Sequence, residues 1–163
     1  MIEDKAQRYW EDVREGEALA DIAFPLTLHR LVVAAGANRD FNAIHHNSDI
    51  ARASGAQEAY ANNVFLQGMW ERSVRAYIGS AGTIVRLGPF RMSSFNVAGD
   101  TVLTKGLVRR KWQEGGKHFV ELEMRCENER GISVAPGPVV VTLPARNSSP
   151  EGKGKGKGKG TTE

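Results

Sequence analysis

Three residues of this sequence, Asp40, Asn42 and His45, have types and a spacing that suit acid–base chemistry. A carboxylate is generally charged at neutral pH, whereas an imidazole can gain or lose a proton there. If the backbone between them is extended or irregular, Asp40 and His45 can approach one water molecule from two sides and act as a general base. Asn42 can hold the intervening turn through hydrogen bonds to nearby backbone. The plainer interpretation is that these residues only form a polar turn.

The context of this stretch resembles a known motif. The string Asp40-x-Asn42-x-x-His45, with Gly68-Met69 further along, is similar to the hydratase-2 motif of MaoC-like enoyl-CoA hydratases. Members of that family usually have glycine before the aspartate, proline after the asparagine and histidine before the Gly-Met pair. The corresponding residues of this sequence are Arg39, Ala43 and Gln67. None of these departures removes a reacting group, and the resemblance covers most of residues 12 to 144.

The resemblance implies a lyase that hydrates a trans-2-enoyl-CoA to a 3-hydroxyacyl-CoA, or catalyses the reverse dehydration. Asp40 and His45 would be the catalytic residues, Asn42 would support them, and the N–H of Gly68 would form the oxyanion hole. Such a reaction requires no metal ion and no other cofactor. Two alternatives stay open: a hot-dog acyl-CoA thioesterase, which attacks the carbonyl carbon, and a non-catalytic subunit that binds acyl-CoA.

Two further details are similar to the small catalytic subunits of heteromeric steroid enoyl-CoA hydratases. These are the Arg39-Asp40-Phe41 opening and the doubled His45-His46. The resemblance implies lipid metabolism, and steroid degradation in particular, with a second hot-dog chain as partner and a branched or polycyclic acyl group as substrate. A homodimer acting on ordinary acyl chains is the alternative.

Gly68 also has a physical argument of its own. Glycine destabilises a helix relative to alanine, so its presence suggests that another group approaches the backbone there. If Gly68 lies in the first helical turn, its N–H lacks an intrahelical acceptor and can stabilise an oxygen that gains negative charge. The alternative is that Gly68 only permits close packing.

The predicted fold is α+β. Apolar residues recur at helical spacing from about Val64 to Ile78, after a cap at Asn62 or Asn63, and predict one long helix. Beyond residue 83 the period becomes that of strands separated by glycine-containing turns. The predicted strands are 84–87, 90–97, 101–112, 118–127 and 132–143. A curved antiparallel sheet wrapped around the central helix buries both apolar surfaces, which is the hot-dog arrangement. Its unpaired edge strands favour a dimer.

The N-terminal part contains shorter elements. A strand is predicted around residues 18–24, followed by a helix that Thr27 caps and that ends near Gly36. A second short helix over residues 48–57 is predicted to begin with a Ser48 cap. Between these two helices lies the Asp40 stretch, so the helices are expected to hold it in position.

Composition indicates one globular domain, residues 1–146, because 40% of the residues are hydrophobic and 25% are charged. The Lys-Gly repeat in residues 147–163 has no apolar side chains and is predicted to be a disordered tail. Without that tail, 18 basic and 17 acidic residues leave a net charge of +1, which does not favour nucleic acid as a partner. No membrane span or signal peptide is predicted, so we expect a cytoplasmic protein.

Overall fold

The computed structural model describes residues 7–146 of the chain, so the predicted tail lies outside the described residues. The three α-helices are α1 (Leu28–Ala37), α2 (Ser48–Ala53) and α3 (Asn63–Ile78). The strands are β1 (Ile22–Pro25), β2 (Thr83–Leu87), β3 (Thr101–Glu114), β4 (Lys117–Asn128) and β5 (Gly131–Thr142). Short 3₁₀ turns occupy Trp10–Asp12 and Ala43–His45. Within residues 7–146, none of the helices combines the length and the apolar character that a bilayer crossing needs.

All neighbouring strands of the sheet are antiparallel, in the order β1-β3-β4-β5-β2. The β3–β4 hairpin turns at Gly115 and Gly116, which both have positive φ, 55° and 74°. A two-residue turn with positive φ at both positions matches the right-handed twist of the flanking strands. Glycine adopts this conformation without a steric penalty. The glycine pair therefore fixes the register that joins the two longest strands.

Helix α3 lies against the concave side of the sheet and contributes the centre of the core. Its buried residues are Leu66, Met69, Trp70, Ser73, Val74 and Ile78. They meet alternate residues of β4, namely Val120, Leu122, Met124 and Cys126, which are also buried. One polar pair lies inside this interface: the hydroxyls of Ser73 and Thr104 are 2.5 Å apart, and Ser73 also donates to the carbonyl of Met69. The predicted α+β arrangement of a curved sheet around one long helix is confirmed.

One predicted strand, residues 90–97, is wrong. This segment forms only isolated bridges, at Met92 with Val134 and at Val97 with Tyr60. Its alternating apolar residues have another use, because Phe90 packs edge-on against Trp70 with ring centroids 4.9 Å apart. The segment is therefore a loop, and Phe90 packs it against the core.

Several predicted boundaries in the N-terminal part are also wrong. Helix α1 continues through Gly36 to Ala37, and Asn38 is its C-cap. The N-cap of α2 is Asn47, whose side-chain oxygen accepts from two backbone N–H groups, and Ser48 is the first helical residue. The first strand begins at Ile22 rather than near residue 18. The Thr27 cap of α1 and the Asn62 cap of α3 are confirmed.

Candidate active site

The chain leaves α1 through a tight turn that sets the position of Asp40. Arg39 has φ of 55°, in the left-handed region, and Asp40 donates its N–H to the carbonyl of Ala35 at 2.9 Å. A residue with a Cβ is disfavoured in this conformation by about 1–2 kcal/mol. Glycine is free of that cost, which accounts physically for the glycine that the resembled motif has at this position. In this chain the surrounding turn holds an arginine in the same geometry.

His45 lies on the 3₁₀ turn Ala43–His45, which follows directly. Asn42 caps this turn, since its side-chain oxygen accepts the N–H of Ile44 at 3.3 Å. The turn directs the imidazole inward, so that only 9% of the His45 side chain is exposed, against 38% for Asp40. The polar turn predicted around Asn42 is therefore present. It buries the imidazole of His45 and leaves the carboxylate of Asp40 partly exposed to solvent.

The imidazole and the carboxylate of this pair meet. His45 Nε2 lies 3.2 Å from Asp40 Oδ2, and His45 Nδ1 lies 2.8 Å from the carbonyl oxygen of Tyr60. Because a carbonyl can only accept, Nδ1 must carry a proton. In the neutral ring Nε2 is then an acceptor that faces Asp40, and one water molecule can donate a hydrogen bond to each of them.

Tyr60 belongs to this site and was not expected from the sequence. Its ring lies edge-on to His45, with centroids 5.3 Å apart, and also packs against Phe95, with centroids 4.4 Å apart. Burial raises the pKa of the Tyr60 hydroxyl, and the nearby charge of Asp40 raises it further. A single aromatic residue before a helix normally indicates core packing, so the sequence contained no local signal for this contact.

The N-terminus of α3 lies beside the same turn. Asn62 is 6% exposed, and its side-chain oxygen accepts both the N–H of Phe65 at 2.8 Å and the amide of Asn38 at 3.2 Å. The next two N–H groups, those of Asn63 and Val64, have no hydrogen-bond acceptor within residues 7–146. Unpaired N–H groups at the positive end of a helix attract an oxygen that carries negative charge.

The prediction that Gly68 lies in the first turn of α3 is wrong. The helix begins at Asn63, five residues earlier, so Gly68 is in the second turn, where the helix itself supplies an acceptor for its N–H. Close packing does not explain this glycine either, because a Cβ built there would meet no atom within 4 Å. The structure thus brings Asp40, Asn42 and His45 together and leaves Gly68 further along the helix.

Gly68 instead forms part of a groove between α1, β1 and α3, with a volume of about 710 Å³. One end is lined by Asn38, whose amide is bonded to the Asn62 cap, and by Val64. The walls do not include Asp40 or His45 themselves, so the groove does not enclose this pair. Across residues 7–146, no group of three or more His, Cys, Asp and Glu side chains is positioned to hold a metal ion.

Several solved structures share the architecture of this chain. A chain of the ChsH1–ChsH2 complex from Mycobacterium tuberculosis is 25% identical, covers 80% of this chain and 98% of its own length, and has a TM-score of 0.73. The (R)-hydratase from A. caviae involved in PHA biosynthesis is 19% identical over 82% of this chain and 99% of its own, with a TM-score of 0.72. A MaoC-like dehydratase from Rhodospirillum rubrum is 17% identical over 84% and 97%, with a TM-score of 0.70.

By sequence, no family model and no curated protein matches the chain. The similarity is therefore carried by the structure, and it extends over nearly the whole length of each of these neighbours. It confirms the fold that the motif around Asp40 predicted. The chain therefore has the hot-dog fold of these hydratases and dehydratases.

Proposed function

We propose that this chain is an enoyl-CoA hydratase that adds water to a trans-2-enoyl-CoA, or removes it in the reverse direction. The observation that carries the proposal is the pair formed by His45 Nε2 and Asp40 Oδ2 at 3.2 Å, next to unpaired N–H groups of a helix. The structural neighbours named as hydratases and dehydratases give the proposal support at the level of the fold.

The pair would activate one water molecule. The water donates one hydrogen bond to His45 Nε2 and one to Asp40, which leaves an oxygen lone pair free to attack the β-carbon of the substrate. As the C–O bond forms, the pair accepts a proton from the water, and the π electrons of the C=C bond move towards the thioester oxygen. A proton returned from the pair to the α-carbon completes the 3-hydroxyacyl thioester. General acid–base assistance of this kind contributes roughly 10²–10⁴-fold to the rate.

The oxyanion donor of this reaction would be the N–H of Asn63 rather than that of Gly68. The enolate oxygen carries the developing charge, and a preorganised N–H at a helix N-terminus can stabilise it. Asn63 directly follows the Asn62 cap, which is buried. Two residues before that cap, the backbone carbonyl of Tyr60 accepts a hydrogen bond from His45 Nδ1. The proposed donor and the carbonyl that holds His45 therefore lie on one short segment, residues 60–63.

A second hot-dog chain would complete the assembly. Strand β2 is an edge of the sheet and exposes Val85 to 55%, and Phe41 beside the site is 72% exposed. An additional chain could cover such apolar surface and pair with the free edge. One neighbour comes from a complex of two named components, so we favour a heteromer, with the homodimer as alternative. The branched or polycyclic acyl group rests on the resemblance of Arg39-Asp40-Phe41 and His45-His46 alone. Light scattering of the chain purified alone gives its mass and distinguishes the two assemblies.

The test of the chemistry is the loss of enone absorbance when the protein is mixed with a 2-enoyl-CoA. We expect Asp40→Asn and His45→Gln to lower kcat by at least about 100-fold while the melting temperature changes little. His46→Gln is the matched control, because His46 is the exposed neighbour of His45. Near-normal rates in folded Asp40 and His45 variants would exclude this mechanism, and release of CoA from a saturated acyl-CoA would indicate a thioesterase.

The oxyanion donor is tested by Asn63→Pro. Proline removes the N–H, and the first helical position tolerates it because Asn62 has the extended conformation required before proline, with φ of −77° and ψ of 164°. Loss of one such donor typically lowers kcat by about 10²–10³-fold. Asn63→Ala keeps the N–H and should retain activity. Equal rates for the two folded variants would show that this N–H does not take part.

A further inference from the structure

Arg130 lies in the turn between β4 and β5 and forms an ion pair with Asp100. Its two terminal nitrogens donate to the two carboxylate oxygens, Nη1 to Oδ1 at 2.9 Å and Nη2 to Oδ2 at 2.5 Å. The side chain of Asp100 is only 7% exposed, against 39% for that of Arg130. A buried carboxylate needs such a partner, and the paired hydrogen bonds of a guanidinium fix its direction as well as compensate its charge.

The same ion pair also holds the backbone of the loop that precedes β3. Asp100 Oδ2 accepts the N–H of Val97 at 2.8 Å, and Arg130 donates a further hydrogen bond to the carbonyl of Phe95 at 3.0 Å. Both bonds come from groups whose direction the ion pair fixes. Loss of either partner therefore loosens the loop at two points.

This loop pairs with the segment that contains Tyr60. Val97 and Tyr60 form an antiparallel bridge. On one side of the bridge Ala61 donates its N–H to the carbonyl of Asn96 at 2.9 Å, and on the other side a bond from Ala98 to the opposite segment measures 2.8 Å. The position of the Tyr60 backbone therefore depends on the position of the loop.

The main chain of Tyr60 connects this arrangement to His45. Its carbonyl accepts the hydrogen bond from His45 Nδ1 at 2.8 Å, and its N–H donates to the carbonyl of Ile44 at 3.3 Å. Because the acceptor at Nδ1 selects the tautomer, it leaves Nε2 unprotonated and facing Asp40. If the carbonyl is displaced, the other tautomer becomes available, in which Nε2 carries the proton and cannot accept a hydrogen bond from water.

We propose that Arg130 and Asp100 are positioning residues for His45, on which they act through the carbonyl of Tyr60. Within residues 7–146 neither forms a hydrogen bond or ion pair with His45, so the effect has to pass through the loop and the Tyr60 segment. The inference rests on the proposed function, because it takes an unprotonated Nε2 to be what the reaction needs. An ion pair with a purely structural role would change the melting temperature and leave the imidazole as it is.

Kinetics of Arg130→Gln give the first test, because Arg130 is partly exposed and its loss should not prevent folding. We expect kcat for hydration of a 2-enoyl-CoA to fall about 10–100-fold, as for a small displacement of a reacting group, while KM changes little. Arg109→Gln is the matched control, because it removes another arginine that is paired with a carboxylate, that of Glu123. Its kcat should equal that of the wild type.

The tautomer of His45 gives a second test that requires no activity. Nitrogen-15 NMR of labelled imidazoles distinguishes protonated from unprotonated ring nitrogens, and His45→Gln assigns the signals. Under alkaline conditions, where imidazoles are neutral, the wild type should carry the proton on Nδ1 of His45. Arg130→Gln and Asp100→Asn should give a mixture with the proton on Nε2. The signals of the exposed His46 should be the same in all these proteins.

The two measurements separate this inference from the proposed reaction. If the variants change the tautomer although the wild type hydrates nothing, the positioning role stands and the reaction fails. If hydration occurs and folded Arg130→Gln keeps the kcat and the tautomer of the wild type, the inference fails alone. A lower melting temperature with an unchanged tautomer indicates a structural role only and overturns the proposal. Should Asp100→Asn not fold, Arg130→Gln decides by itself.

Discussion

The core around Trp70 and the turn that holds Asp40 and His45 are stabilised in different ways. Trp70 is fully buried, packs edge-on against Phe90 and donates its indole N–H to Cys126 Sγ at 3.1 Å. In the core, volume and apolar contact determine the geometry. In the turn, a few directional bonds to backbone do so, such as the one between His45 Nδ1 and the carbonyl of Tyr60.

Because of this difference, we expect stability to depend mainly on core residues and activity to depend mainly on residues of the turn. A core residue makes many weak contacts, so we expect its loss to lower the free energy of unfolding without moving Asp40 and His45. A residue of the turn makes one or two bonds near the surface, so we expect its loss to shift the proposed catalytic side chains and to have a small effect on folding. Substitutions in the two regions should therefore affect different measurements.

The largest effect on stability is expected for Trp70→Ala. Removal of this fully buried side chain should lower the free energy of unfolding by about 3–5 kcal/mol, because the cavity cannot close completely. Denaturant unfolding gives the size of the loss. Trp112→Ala is the control, since Trp112 is only partly buried and stacks on Phe119 near a hairpin turn, and its loss should be smaller. Equal losses for the two variants would argue against a core centred on Trp70.

The next largest effects on stability are expected when alanine replaces Gly137 or Gly68. The first substitution should destabilise the protein and the second should stabilise it. A Cβ at Gly137 would lie 2.6 Å from the Pro89 carbonyl oxygen and 3.0 Å from the Trp70 ring, so Gly137→Ala should destabilise by about 1–3 kcal/mol. Gly68→Ala meets open space inside a helix and should stabilise by about 0.5–1 kcal/mol. Thermal unfolding of both variants compares them directly, and the same sign for both would contradict the packing described around Gly137.

The smallest effect is expected in the turn itself, for Ala43→Pro. Ala43 is the first residue of a 3₁₀ turn, its N–H has no acceptor within residues 7–146, and Asn42 before it is extended with φ of −62° and ψ of 125°. Proline suits such a position and should stabilise by about 0.4–1 kcal/mol by restricting the unfolded chain. Ile44→Pro is the control, because it removes the N–H that Asn42 accepts. A lower melting temperature for Ala43→Pro would refute this view of the turn.

The sequence predicted those helices and strands whose hydrophobic pattern repeats over many residues. Alternation along β4 and the helical spacing of α3 extend over many residues, so each additional residue strengthened the same interpretation. Residues 90–97 have a similar alternation over one short segment, but they form only isolated bridges and Phe90 packs against Trp70 instead. Local pattern cannot reveal whether a segment finds a partner strand or covers the core.

The candidate site was predictable only where its residues are close in sequence. Asp40, Asn42 and His45 share one turn, and their spacing together with the resemblance indicated that they could meet. Tyr60 contributes through its backbone carbonyl, which any residue type has, so no pattern of side chains could indicate it. The misplacement of Gly68 has a related cause, because an error of a few residues at a helix N-terminus changes which N–H groups are unpaired.

The buried contact between Trp70 and Cys126 provides an intrinsic probe of local separation between α3 and β4. Cys126 is the sole cysteine of the chain and is fully buried; burial raises the pKa of its thiol to about 12, although the hydrogen bond from Trp70 partly opposes this. A thiol reagent can therefore react only in the moments when α3 separates from β4. The rate at which the native protein is labelled therefore reports how often α3 separates from β4. A ligand that binds the N-terminus of α3 should lower this labelling rate.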